Sequence, residues 1–219
     1  MKCQACGNDN PAHAQFCGGC GAALSALPQS RSLVERMIGA ALLKADVYEE
    51  VEADTNATSS AALVVLLVSL AGGVGAFMAS GVGGLIAGVI IGIAGWAVWA
   101  GITFFIGTRL LGTPETDADW GQLARTLGFA QTPGLLMILA IIPPISGSVV
   151  LVVMIWRIAA MVVAVRQALD YQSTMRAVGV VLMGIIPYAI FAGIVVSITA
   201  SIFGAEAVGL APADSNGTP

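Results

Sequence analysis

The residues best equipped for chemistry are four cysteines, Cys3, Cys6, Cys17 and Cys20, the only cysteines in a chain of 219 residues. They form two Cys-x-x-Cys pairs with ten residues between them. Two such turns joined by a hairpin can converge four thiolates on one ion at about 2.3 Å each, the tetrahedral arrangement of structural zinc. Gly7 and Gly21 directly follow the second cysteine of each pair, and Gly18 and Gly19 lie inside the second pair. Glycine permits the positive-φ turn that lets backbone amides point at the sulfurs. Two disulfides, or a dithiol redox motif, would use the same residues, but the paired spacing favours zinc. His13, the only histidine, is surplus to a closed four-thiolate site. Phe16 is the expected small core under the turns. Residues 1–24 therefore read as a zinc ribbon with structural Zn2+. The module is too short to bury an ordinary core, so the metal supplies most of its folding energy.

The rest of the chain is of another kind. It is 57% hydrophobic and only 10% charged, with a mean hydropathy of +0.89. That composition excludes an ordinary soluble domain and a disordered chain. The net charge of −4 offers no basic patch, so nucleic acid is not an expected partner. The polar, cysteine-rich start does not resemble a secretory signal.

Residues 25–32 (SALPQSRS) read as a linker. Residues 33–54 read as a juxtamembrane amphipathic helix followed by an acidic segment. From Leu33 to about Tyr48, apolar residues recur at helical spacing (Leu33, Val34, Met37, Ile38, Ala41, Leu42, Ala45, Tyr48), with Glu35, Arg36, Lys44, Asp46 and Glu49 opposite. Such a helix either lies in the membrane interface or packs on the end of the membrane domain. The acidic run Glu49, Glu50, Glu52, Asp54 reads as a solvated face or loop. Residues 55–204 form the membrane domain, with five apolar stretches near 60–80, 83–107, 123–143, 147–168 and 177–203. Each has the roughly 20 residues a helix needs to cross a ~30 Å hydrocarbon layer. The links at Ser80-Gly81 and Pro143-Pro144 are short enough to make two helical hairpins. Residues 205–219 read as a flexible tail. The expected fold is mostly α: a five-helix polytopic membrane bundle preceded by the small ribbon.

All nine basic residues bear on orientation. Lys2, Arg31, Arg36 and Lys44 precede the first span. Arg109 and Arg125 flank the link between spans two and three, and Arg166 and Arg176 flank the link between four and five. The two short links and the tail have none, and only Arg157 lies within a span. The positive-inside rule then predicts a cytoplasmic N-terminus and an external C-terminus. A reduced ribbon in the cytoplasm agrees. Small residues repeat every fourth position in span two (Gly84, Gly88, Gly92) and span five (Ala189, Gly193, Ser197, Ser201). Such faces serve close packing within the bundle or homo-oligomerisation.

Arg157 is the one charge expected in the membrane, about 13 Å along its helix from Arg166. An arginine at that depth costs on the order of 3 kcal/mol and faces partners within the protein. It lies twelve residues after Ile145, and Pro133 lies twelve before it, so the two share a depth on antiparallel helices. Pro133 frees the Phe129 carbonyl, and Gln131 and Thr132 bring further oxygens. The expectation is an intramembrane polar site of Arg157, Gln131, Thr132 and Pro133. The competing arrangement is a guanidinium snorkelling toward the cytoplasmic face. No Asp, Glu or His lies in the five spans, which leaves no proton relay, and no nucleophile motif or metalloprotease motif is present. The loop Glu115, Asp117, Asp119 before Trp120 lacks the ligand count of a calcium loop and suits a helix N-terminus. No enzyme is expected.

Three segments carry a resemblance: Arg36-Met-Ile-Gly-Ala through Tyr48-Glu-Glu-Val-Glu-Ala-Asp, then Arg125-Thr-Leu-Gly-Phe-Ala-Gln-Thr-Pro-Gly, and Ile155-Trp-Arg with Val165-Arg-Gln-Ala-Leu. Over roughly 33–203 the chain resembles prokaryotic membrane proteins of the Yip family, named for the eukaryotic Ypt/Rab-interacting proteins. The resemblance implies five helices, a cytoplasmic N-terminus and no catalytic activity. Its eukaryotic members engage prenylated small GTPases and shape ER–Golgi traffic, but their Asp-Leu-Tyr-Gly-Pro motif is absent here. The expected function is an integral membrane scaffold or adaptor. It sits in the bilayer and meets a protein partner through the ribbon or the juxtamembrane helix. The alternative is a small channel or transporter with a mid-membrane site at Arg157 and Pro133.

Overall fold

The structure, a computed structural model, describes residues 2, 3, 5–11, 14, 16–22, 31–114 and 116–203, with side chains described except at 75–80, 83, 84, 202 and 203. Most of the expected linker, the tail 205–219, His13 and Glu115 lie outside the described residues. Two compact units divide the chain, Met1–Val34 and Glu35–Pro219. The first holds two knuckle turns and an isolated antiparallel bridge between Lys2 and Asp9.

The second unit is helical. Its elements are α1 (Leu33–Ala41), α2 (Ala45–Ala53), α3 (Ala57–Phe105), α4 (Trp120–Phe129), α5 (Ser146–Ala168) and α6 (Thr174–Phe203). A π-helical turn (Ile106–Leu110) extends α3, and 3₁₀ turns (Thr132–Ile141 and Pro143–Ile145) join α4 to α5. Four stretches are long and apolar enough to cross a bilayer: Ala57–Val74, Leu85–Leu110, Pro143–Ala168 and Thr174–Ser201. The bent pair Trp120–Phe129 and Thr132–Ile141, angled at 41°, makes a fifth when its two pieces count as one span. The architecture is the expected five-span bundle, with the third span in two pieces.

Local chemistry explains these breaks. At Gly81, φ is 63° and ψ −152°, a conformation open to glycine, and there α3 reverses into two limbs. The limbs meet where Gly92 lies against Ser69. Asp119 and Gln122 cap the start of α4 reciprocally, at 2.9 Å (Gln122 N–H to Asp119) and 2.6 Å (Asp119 N–H to Gln122). From there α4 enters between the limbs of α3: Trp96 Nε1 donates to the Ala124 carbonyl at 2.9 Å, and Gly128 lies on Ala61. Residues Leu123 to Phe129 are buried throughout. Pro133 cannot donate an N–H, and the helix continues from Thr132 as a tighter 3₁₀ turn.

The single amphipathic helix expected over 33–48 is instead a helical hairpin. Leu43 takes a left-handed conformation (φ 59°) and closes α1 with a Schellman pair: Leu43 N–H to Ala40 O and Lys44 N–H to Gly39 O, both 3.0 Å. No glycine announces the turn. The apolar stripe of Val34, Ile38 and Leu42 points outward, and Arg36, Gly39 and Ala40 are buried. Arg36 pairs with Glu50 (3.0 Å) and Asp54 (2.8 Å) across the hairpin. The acidic run is therefore a helix face with fixed partners, not a free solvated one. Helix α2 buries Val47, Tyr48 and Val51 against α4 and α5. Arg125 donates to the carbonyls of Val51 (3.1 Å) and Glu52 (2.6 Å), capping the C-terminus of α2. Trp156 of α5 donates to Ala41 O at 2.7 Å, satisfying an end carbonyl of α1.

Candidate functional site

Two places hold side chains whose chemistry the surrounding fold does not exhaust. In the first unit, the four cysteine sulfurs lie within 4.8 Å of one another. The closest pairs are Cys3–Cys20 at 3.6 Å and Cys6–Cys17 at 3.5 Å, and all four are free thiols. Each knuckle is built the same way. Gly7 N–H bonds to Cys3 O (2.8 Å) and Gly21 N–H to Cys17 O (2.9 Å), with φ of 75° and 73° at the two glycines. Cys3 N–H bonds to Asn8 O (2.9 Å) and Cys17 N–H to Ala22 O (2.7 Å). Asn10 ties the turns together, donating to Cys17 Sγ (3.5 Å) and accepting from Gly18 N–H (2.9 Å).

The sulfurs are electrostatically frustrated without a cation. Gly19 N–H points at Cys17 Sγ from 3.4 Å and draws its pKa down to about 6. The Asn8 backbone likewise favours a Cys6 thiolate, but the sulfurs of Cys20 and Cys17 outweigh it and push Cys6 up to about 12. A cation at the centre would let all four ionise. The spacing suits one tetrahedral ion with bonds of about 2.3 Å. Phe16, expected beneath the turns, is instead 62% exposed. Its place as a core is unnecessary where a metal crosslinks the backbone.

In the second unit, Arg157 is the middle residue of α5. Its guanidinium donates to Gln131 Oε1, and Gly134 lies beside its stem while receiving the Val68 side chain, which a Cβ there would meet at 2.6 Å. The Phe129 carbonyl freed by Pro133 is not its partner. Thr132 Oγ1 takes that carbonyl at 2.6 Å, one turn back, because the hydroxyl is local and needs no reach across helices. Of the four residues expected to form a polar site, Arg157 and Gln131 meet, while Thr132 and Pro133 shape the bend.

Around Arg157 is a cavity of about 460 Å³ between both limbs of α3, the 3₁₀ turn, α5 and α6. Its lining includes Ser69, Trp99 and Tyr188, none of which stands out in the sequence pattern. Gly95 lets the Tyr188 hydroxyl approach, Gly184 receives the Trp99 ring, and the two aromatic rings meet edge to face with centroids 5.2 Å apart.

A family model for the Yip1 domain matches residues 42–205. The chain belongs to the Yip1 domain family. No curated protein and no solved structure matches it. The match begins at Leu42, at the hairpin turn, and leaves the cysteine cluster outside. The Yip1 domain family comprises membrane proteins rather than enzymes.

Within this Yip1 domain the small-residue stripes divide. Gly92 packs on Ser69, whereas a Cβ at Gly88 or Gly193 would meet nothing within 4 Å. Gly193 and Ser197 face outward from the bundle, and Gly84 is among the residues whose side chains are not described. Close packing instead uses Gly128 on Ala61 and Gly184 on Trp99, glycines that stand outside any repeat and gave no periodic signal.

Proposed function

We propose that this protein is an integral membrane scaffold or adaptor of the Yip type, working in membrane organisation or trafficking. Its ribbon folds on structural Zn2+, held by Cys3, Cys6, Cys17 and Cys20, and recruits a protein partner. The N-terminus is cytoplasmic, which accords with the basic residues that precede the first span and flank the links from span two to three and from four to five, and keeps the thiols reduced. The carrying observation is Phe16. It stands 62% exposed beside Cys17, on a turn that a metal would hold rigid. An exposed aromatic on a preorganised turn is the kind of anchor around which protein interfaces form. The outward stripe of α1 (Val34, Ile38, Leu42) offers a second apolar surface, suited to the membrane interface or to the same partner.

Crosslinking-coupled affinity purification of the full chain tests this. Cys17→Ser and Phe16→Ala are both expected to lose the same partner that the unaltered protein retains. Identical partner lists from all three would end the recruiting role of the ribbon. Saturable solute uptake in liposomes, abolished by Arg157→Leu, would replace the scaffold by a transporter.

A further inference from the structure

The cavity around Arg157 poses a charge problem that the chain does not solve. Arg157 lies halfway along a membrane-spanning helix, where an ionised side chain requires partners. Among the described residues, its one hydrogen-bond partner with a side-chain oxygen is Gln131, which is neutral, and its Nε is buried with no acceptor. No Asp, Glu or His occurs in any of the spans, so the protein carries no counter-ion there. A second donor is stranded in the same wall. Trp99 is only 6% exposed, and its indole N–H has no partner among the described residues. Ser69 and Tyr188 add two hydroxyls. Unmet buried donors are costly, and here two of them, Arg157 Nε and Trp99 Nε1, belong to residues lining the same cavity.

The remaining wall is apolar, and part of it belongs to the outer surface. Val150, Met154, Ile158 and Ile185 line the cavity and are also exposed on the outside of the bundle. The cavity is therefore continuous with the surface that bilayer hydrocarbon covers. Its volume falls within the range of small-molecule sites, about 300–1,000 Å³.

We propose that this cavity binds a single-chain lipid anion, entering sideways from the bilayer, with its carboxylate or phosphate on Arg157 and its hydrocarbon chain along the apolar wall. The acidic group accepts from the guanidinium and from the Trp99 N–H, supplying the charge and the acceptors that the chain lacks. The bland alternative, water alone, would satisfy the donors but leave the positive charge without a counter-ion. The site is independent of ribbon recruitment.

The test uses the full-length protein in phosphatidylcholine nanodiscs with nitroxide-labelled stearic acid as probe. Electron paramagnetic resonance reads the immobilised fraction. Saturable binding of about one probe per chain is expected, with the neutral methyl ester at least tenfold weaker. Arg157→Leu should abolish the preference for the acid, Arg157→Lys should keep part of it, and Trp99→Phe should weaken binding severalfold. Palmitate and lysophosphatidate then compete for the site, and the better competitor identifies carboxylate or phosphate as the headgroup. Equal binding of acid and ester, failure of both competitors, or no saturable binding overturns the proposal. If Arg157→Leu does not fold, unchanged binding by Trp99→Phe still counts against it. Cys17→Ser should leave probe binding intact, which separates this site from the fate of the ribbon.

Discussion

The ribbon and the centre of the bundle meet the same difficulty with opposite signs. Four sulfurs converge within 4.8 Å and need a cation. One guanidinium lies in mid-bundle and lacks a carboxylate. The ribbon solves its problem over some twenty consecutive residues, using two copies of one turn and two positive-φ glycines. The bundle assembles its site from both limbs of α3, a 3₁₀ turn, α5 and α6. The ribbon's four cysteines are thus spaced by the local chain, close enough together to hold a metal ion.

That contrast is sharpest when the ribbon's metal is removed. Structural zinc contributes on the order of 10 kcal/mol in small modules. Chelation or Cys17→Ser should therefore unfold residues 1–24 completely while thermal unfolding of the bundle stays unchanged. Zinc analysis with hydrogen exchange resolved by residue would check it. A bundle that melts along with the ribbon would erase the distinction. Next in size is Gln131→Leu, which strips Arg157 of its side-chain acceptor and should cost about 2 kcal/mol. Adding Arg157→Leu should recover much of that loss, because the pair is coupled. Unfolding in mixed micelles measures all three variants, and strictly additive losses would count against the pairing.

Smaller effects lie at the end of the bundle near α2. Leu43 holds a left-handed conformation at a helix end, so Leu43→Gly should stabilise the hairpin by up to about 1 kcal/mol. Loss of stability in the same micelle assay would mean that the leucine side chain matters more than the turn. A pH-dependent effect in the same region concerns Glu52. Burial, with Asp170 nearby, raises its pKa from 4.5 to about 7. A raised carboxyl pKa means that the folded state holds the proton more tightly than the unfolded chain. The contribution of Glu52 is thus fully present below about pH 4.5 and is lost as pH rises through about 7. Glu52→Gln should flatten the stability profile across that window. An unchanged profile would place the titration elsewhere.

Much of the plan was legible in advance because its signals are local. Paired cysteines with following glycines indicated the knuckles, runs of apolar residues the spans, and Ser80-Gly81 the reversal that φ of 63° at Gly81 carries out. What escaped was structure without a residue-type marker. Leu43 and Asp170 both end helices with positive φ through backbone hydrogen bonds that glycine would have advertised. Arg36 and Arg125 read as polar-face or flanking charges, yet both are buried, one between two carboxylates and the other on the carbonyls of α2. Phe16 read as core and is exposed.

By itself the sequence determined the four-cysteine cluster, the apolar spans and the presence of one arginine midway along a span, since each depends on residue type and spacing along a single segment. Only the tertiary structure decided what surrounds that arginine. Thr132 takes the Phe129 carbonyl, Gln131 turns to Arg157, and Trp99 and Tyr188 arrive from α3 and α6 to close an apolar cavity. The physical reason is that a buried charge is governed by whatever reaches it across helices. The glycines that permit that reach, Gly95 and Gly184, are meaningful only beside the Tyr188 and Trp99 side chains they admit.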